Sequence, residues 1–353
     1  MISLIDLGSI IYDLDTPYDS PLGGSETTLV LLNKGFAELG YDVILYNRKN
    51  NLNILDVLNK SDDIIIHRFL PNVNPEIFKD KNVYYYAQDA IDQSTVHWMQ
   101  HHQNIDYFNN IFCISNWQRN TFINGFNIPV ELQYKFVVVG NPIDYSLSTL
   151  DKNRDKYKMI YAGIPQKGLR ILPDIYKDVK RNMGDKITFD IYSSFKLYQD
   201  NDSDKEYSKW FDMLKEMNGV NIFDPVSMTT FNEILSKSSV YISPNLYPET
   251  FGNNLIISQS NGCIPICTSL GSMNDTIYFK DTIVPTITDI YVPTFAPTEH
   301  YITYKLYVDK ICEVFDNIDN FDRNEMSLWS KKFDYLNITK KYCEVMFKCY
   351  FII

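Results

Sequence analysis

Short apolar runs rich in β-branched and aromatic residues recur along this chain, each followed by a stretch long enough to form a helix. The runs are Ile2–Leu7, Val43–Tyr46, Asp63–His67, Val83–Ala87, Ile111–Ile114 and Phe136–Val139. After a polar interval come Met159–Ala162, Ile187–Tyr192, Val220–Phe223, Val240–Ser243 and Ile264–Thr268. They are continuous rather than alternating, which is the pattern of parallel strands covered on both faces by helices. Strands alternating with helices imply βαβ units and a doubly wound α/β sheet. The series lapses over Asn141–Tyr157, where Pro142-Ile143-Asp144 is followed by the charged run Asp151–Lys156. Two comparable halves joined there predict two Rossmann-like domains facing one another, and 353 residues suit that number.

A formal net charge of −11 argues against nucleic acid and against polybasic docking on anionic lipid, because both ligands would be repelled. Any phosphate chemistry therefore needs a local basic pocket. The six cysteines, at 113, 263, 267, 312, 343 and 349, form no CxxC pair and no zinc-like spacing. They read as reduced packing residues, with no metal site expected. No apolar run approaches the ~18 residues that span a bilayer. The first fifteen residues carry Asp6, Asp13 and Asp15 and no basic start, so no signal peptide is expected and a cytoplasmic location is. Oligomeric state is not legible.

Three stretches carry chemistry. Gly23-Gly24-Ser25-Glu26 follows the first strand and opens a helix with Leu29, Leu32, Phe36 and Leu39 on its buried face, capped by Ser25 or Thr27. Paired glycines admit close approach of a ligand, and helix-start amides attract phosphate; a turn that merely packs helix on sheet fits equally well. Tyr161-Ala162-Gly163-Ile164-Pro165-Gln166-Lys167-Gly168-Leu169 takes a strand through a turn, so Lys167 stands where α/β sheets bind ligands and can meet a diphosphate as a point charge. A solvated surface lysine is the other reading. In Ser243–Leu255 a strand delivers a Pro-bounded loop, then Glu249, then Phe251-Gly252 and a helix. The amides of Phe251, Gly252, Asn253 and Asn254 would be the unpaired donors of that helix, and Glu249 could accept hydrogen bonds from sugar hydroxyls. His97, His101 and His102 read as one helix with the first two a turn apart, but a third metal ligand is missing. His67-Arg68 ends a strand as a possible acceptor contact.

The run Tyr247–Gly252 with Gly262–Pro265 resembles the signature of retaining GT-B glycosyltransferases, the large family of bacterial mannosyl- and glucosyltransferases. Gly23–Glu26 is similar to that family's N-domain glycine loop, Cys113–Gln118 to a strand–helix junction, and Val139–Asp144 to its interdomain stretch. Lys167-Gly168-Leu169 is similar to its basic turn, and Trp329–Phe347 to the helix that crosses back to the N-terminal domain. The resemblance implies an acceptor-side domain of residues 1–150 completed by 323–353, and a nucleotide-sugar domain of residues 151–322. It implies metal-independent transfer from a UDP- or GDP-linked sugar to a glycan or other hydroxyl acceptor with retention, and no further cofactor. Lys167, Gly163 and the helix-start amides would hold the diphosphate, Glu249 the transferred sugar, and Val226 and Met228 would lie beside base and ribose.

Three positions depart from the family's pattern. A second glutamate eight positions after the first is replaced by Ile257, leaving Ser258 as a substitute; an arginine is replaced by Ile164; and a histidine is replaced by Gln88. These motivate a rival reading, a non-catalytic GT-B protein that binds a glycan or supports a partner enzyme.

Overall fold

The computed structural model describes residues 1–48, 54–68, 75–200, 202–286 and 301–348. Cys349 lies outside them. The chain forms two compact units: Met1–Asp15, Gly24–Asp144 and Phe333–Ile353 make the first, Thr16–Gly23 and Tyr145–Lys332 the second.

In the first unit, β1 (Ile2–Asp6), β2 (Val43–Tyr46), β3 (Asp63–His67), β4 (Asn82–Tyr86), β5 (Asn110–Cys113) and β6 (Phe136–Val138) form one parallel sheet in the order β2-β1-β3-β4-β5-β6. Every residue of β1 and β3 is buried, because helices cover both faces. The 15-residue helix Gly24–Glu38 packs against Tyr335–Phe347, with the rings of Phe36 and Tyr342 edge to face at 6.4 Å. A Cβ on Gly35 would lie 2.1 Å from the Thr339 hydroxyl, so only glycine lets these helices approach so closely. Residues 333–335 are tied to the stretch after β6: the Ile143 amide donates to the Phe333 carbonyl and the Tyr335 amide to the Ile143 carbonyl, both at 2.9 Å.

The second unit carries β7 (Asp155–Ala162), β8 (Thr188–Tyr192), β9 (Val220–Phe223), β10 (Ser238–Ser243), β11 (Ile264–Thr268) and β12 (Ile283–Val284), all parallel, in the order β12-β11-β10-β7-β8-β9. Alternate residues enter opposite clusters: Met159, Tyr161, Val240 and Ile242 one, Ile160 and Tyr241 the other. That is the physical reason the runs are continuous.

Several expectations need correction. Asp155 and Lys156, read as linker, begin β7; their charges stay exposed where the strand projects, and Lys156 pairs with Asp319. The helix at Gly24 starts at that glycine, so Ser25 and Thr27 lie within its first turn rather than capping it. His97 and His102 fall on separate 3-10 helices, Ser94–Gln100 and His102–Tyr107, with His101 at the junction, so the one-turn spacing is lost. The chain re-enters the first unit at Phe333; Trp329 belongs to the second, its ring 5.6 Å from that of Tyr278.

Candidate active site

In an open parallel sheet, ligands bind beyond the carboxyl ends of the strands where the winding reverses. In the second sheet, β8 and β9 extend to one side of β7 and β10 to the other, so the reversal lies between β7 and β10. The two residues placed there are Lys167, five residues after β7, and Glu249, six after β10. Their side chains meet, with Lys167 Nζ 2.6 Å from Glu249 Oε1. Burial disfavours the ammonium, but the carboxylate beside it prevails and holds the Lys167 pKa well above the ordinary lysine value.

The loop around Glu249 is fixed from two sides. Asn245, itself buried, donates through Nδ2 to Glu249 Oε1 at 2.8 Å, and its carbonyl accepts from the Thr268 hydroxyl at 3.0 Å. The Glu249 backbone lies against Gly271 in a parallel bridge, and its carbonyl accepts from the Ser272 amide at 2.9 Å. Gly271 has φ +87°, and a Cβ there would come 2.2 Å from the Glu249 carbonyl oxygen, so a side chain would displace the glutamate. Asn245 and Gly271 were not singled out by sequence. The only signals were an Asn four residues before the glutamate and a glycine just beyond the next strand.

Gly252 caps the helix Asn253–Ser260 and has no side chain to bond its first turn, and the positive end of that helix faces the same edge. The side chain of Asn254 is used structurally: Nδ2 donates to the Ala162 carbonyl at 3.1 Å, which also accepts from the Tyr241 hydroxyl at 2.6 Å. Gly163 adjoins Lys167, whose Cδ would be 3.6 Å from a Cβ there. Val226 and Met228 follow β9 at the same edge, on either side of Ser227, whose hydroxyl caps the Met228–Lys237 helix. Ile257 packs against an apolar cluster, and Ser258 is buried with its hydroxyl donating to the Leu255 carbonyl at 2.8 Å. Ser258 is therefore not turned outward to replace an acid at 257.

Gly24 and Ser25 belong to the first unit, Gly23 to the second. Beside them the buried Glu26 pairs with Arg68 at 2.7 Å, a residue held at φ +56°. The first sheet reverses between β1 and β3, whose ends carry Asp6 and His67. Asp6 accepts from the Gly8 amide and the Tyr12 hydroxyl, each at 2.8 Å, and lies 3.3 Å from His67 Nδ1. Gln88 is locked in a reciprocal amide pair with Asn141, at 2.8 and 3.0 Å, and Asn141 Oδ1 also accepts from the Tyr86 hydroxyl at 2.5 Å. Among the described residues, no group of three or more His, Cys, Asp or Glu side chains is arranged to hold a metal, and no helix is long and apolar enough to cross a membrane.

Two Rossmann-like units with the terminal helix returned to the first define the GT-B fold, the architecture of many glycosyltransferases. Solved structures of similar fold include a glycosyltransferase from Rickettsia africae (15% identity, TM-score 0.72, 98% of each chain covered). Anabaena HepE, solved in complex with UDP and glucose, is another (13% identity, TM-score 0.66, 99% of each chain). The pneumococcal O-GlcNAc transferase GtfA, in complex with UDP and GlcNAc, is a third (15% identity, TM-score 0.64); the match covers 84% of this chain and 58% of the length of GtfA. No family model matches the chain, and no curated protein matches its sequence.

Proposed function

We propose that this protein is a glycosyltransferase that takes a sugar from a UDP- or GDP-linked donor held by its second unit and passes it, with retention and without a metal ion, to a hydroxyl acceptor served by the first. The observation that carries this reading is the 2.6 Å Lys167–Glu249 pair at the winding reversal of the second sheet. When the bond from the anomeric carbon to the diphosphate oxygen breaks, negative charge grows on the leaving diphosphate. The Lys167 ammonium and the N–H groups opening the Asn253–Ser260 helix stabilise that charge without an ion. Glu249, held by Asn245 and Gly271, is positioned for the sugar hydroxyls. The UDP-bound HepE and GtfA structures support a nucleotide-linked donor.

Binding of UDP and GDP is measured by calorimetry, and sugar release from their sugar conjugates is measured with and without EDTA. Lys167→Ala removes a charge-assisted contact and should weaken diphosphate binding roughly ten- to a hundredfold. Glu249→Gln should leave diphosphate affinity within about threefold and lower kcat/KM. Transfer should persist in EDTA; manganese-dependent activity would defeat the metal-free part of the proposal.

The rival reading, a GT-B protein that binds a glycan or supports a partner without turnover, is favoured by one observation: Ile257 is packed into an apolar cluster and Ser258 is turned inward. Diphosphate binding without turnover of any donor would select it.

A further inference from the structure

Arg154 immediately precedes β7, and Arg323 opens the helix Arg323–Ser330. Arg154 donates through Nη1 to the Leu235 carbonyl at 2.9 Å and to the Ser238 carbonyl, and through Nη2 to the Asn261 carbonyl. Arg323 donates through Nη1 alone, to the carbonyls of Ser239, at 3.3 Å, and Gly262. These carbonyls lie where β10 and β11 begin, so both guanidiniums sit at the amino-terminal edge of the second sheet. A Cβ on Gly262 would come 3.0 Å from Arg154 Nη2 and 3.5 Å from Arg323 Cβ, which places the two arginines around one glycine. Among the described residues, neither of them nor the exposed Lys152 forms an ion pair. Two half-buried like charges this close repel, and burial together with the Arg154 charge pushes the Arg323 pKa down to about 10. The carbonyls bring dipoles but no opposite charge.

Both arginines and Lys152 line one cavity of about 770 Å³. Nε and Nη2 of Arg323, and Nε of Arg154, make no hydrogen bond and stay open to solvent. The carboxylates that line the cavity have other partners. Asp319 pairs with Lys156, Asp322 accepts from the Glu325 amide at 2.9 Å, and Asp151 accepts from the Asn153 amide at 2.8 Å. A guanidinium fork matches the oxygens of a phosphate, and the cavity is larger than a free phosphate fills. The geometry points to a second ligand site, for a phosphate-bearing small molecule, held by Lys152, Arg154 and Arg323. It lies at the opposite end of the eight-residue β7 from Lys167, roughly 25 Å along the strand. The site does not depend on the glycosyltransferase reading and would stand if no donor were turned over.

The probes are inorganic phosphate and glucose 6-phosphate, with potassium chloride at matched ionic strength as control, and the readout is the melting temperature of the full chain. A ligand that binds the folded state alone raises it by mass action. At least one phosphate should raise it in wild type and equally in Lys167→Ala, which takes the donor site out of the comparison. Arg323→Gln should weaken the apparent affinity about ten- to a hundredfold, and Lys152→Gln about threefold. Lys152 is exposed, so its variant remains a folded test even if Arg323→Gln does not fold. A larger effect of glucose 6-phosphate supports a sugar phosphate as the ligand, and equal effects support free phosphate. A rise of the same size in chloride marks an adventitious ion only and overturns the site. A rise lost in Lys167→Ala overturns it too, as does one undiminished in Lys152→Gln and in folded Arg323→Gln, or no rise in wild type.

Discussion

Asp6 shows how one buried carboxylate can be made to depend on its neighbours. Burial opposes its ionisation, yet the hydrogen bond and charge of His67, the Gly8 amide and the charge of Arg68 together hold its pKa down to about 2. An unfolded aspartate titrates near ~3.9. Between about 4 and 2 the unfolded chain therefore binds the proton more readily, and stability falls as pH falls through that window. The depression is worth on the order of 2 kcal/mol, present above pH ~4 and lost progressively below it. We expect the melting temperature of wild type to drop between pH 4 and 2, and that of Asp6→Asn to start lower at neutral pH and respond less over the same interval. Differential scanning calorimetry across pH gives the answer; parallel curves would refute it. Individual residues were only partly legible in the sequence. Lys167 and Glu249 announced themselves because a lone lysine in a Gly-Pro turn and a carboxylate before Phe-Gly are unusual punctuation. Asp6 and Gly271 did not, because each acts on a residue distant in sequence that only the sheet winding brings close, and Asn245 did not, because its loop is fixed by the Thr268 hydroxyl on the next strand.

At the scale of elements, the alternation of apolar runs was enough to locate eleven strands to within a few residues, since burial on both faces leaves little freedom of composition. The two-residue strand β12 carries too little side-chain signal to be read, and the exposed charges of Asp155 and Lys156 disguised the start of β7. The histidine segment failed for another reason: spacing alone cannot tell an α-helix from consecutive 3-10 turns. Packing between the Gly24–Glu38 and Tyr335–Phe347 helices yields a prediction of its own. Gly35→Val drives a branched side chain into Thr339 and the Tyr335 carbonyl. Overpacking of this kind costs about 1–3 kcal/mol. A lowered urea midpoint with an unchanged slope is the expected result, and an unaltered midpoint would mean the helices slide apart without cost.

On the whole-molecule scale, the first unit is assembled from three separate lengths of chain, and the second from residues 16–23 and one long run, 145–332. The first sheet leans on the last of its three lengths: Tyr342 lies 4.5 Å from the Phe112 ring and 5.7 Å from the Tyr86 ring, and the Tyr84 hydroxyl donates to the Met346 carbonyl at 3.4 Å. A chain stopped at Lys332 should therefore keep slow hydrogen exchange in β7–β11 and lose protection in β1–β6. Equal protection in both sheets would show that the terminal helix is dispensable.

The return of residues 333–348 also sets a timetable for synthesis. Because a chain is made from its amino end, the second unit has all its parts in hand before the first receives its closing helix. Until then, the nascent first unit presents the Gly35–Phe36 face and the Tyr84, Tyr86 and Phe112 rings uncovered, an apolar surface for a chaperone to shield. The half of the protein that is translated first is thus the half that waits longest for its last part.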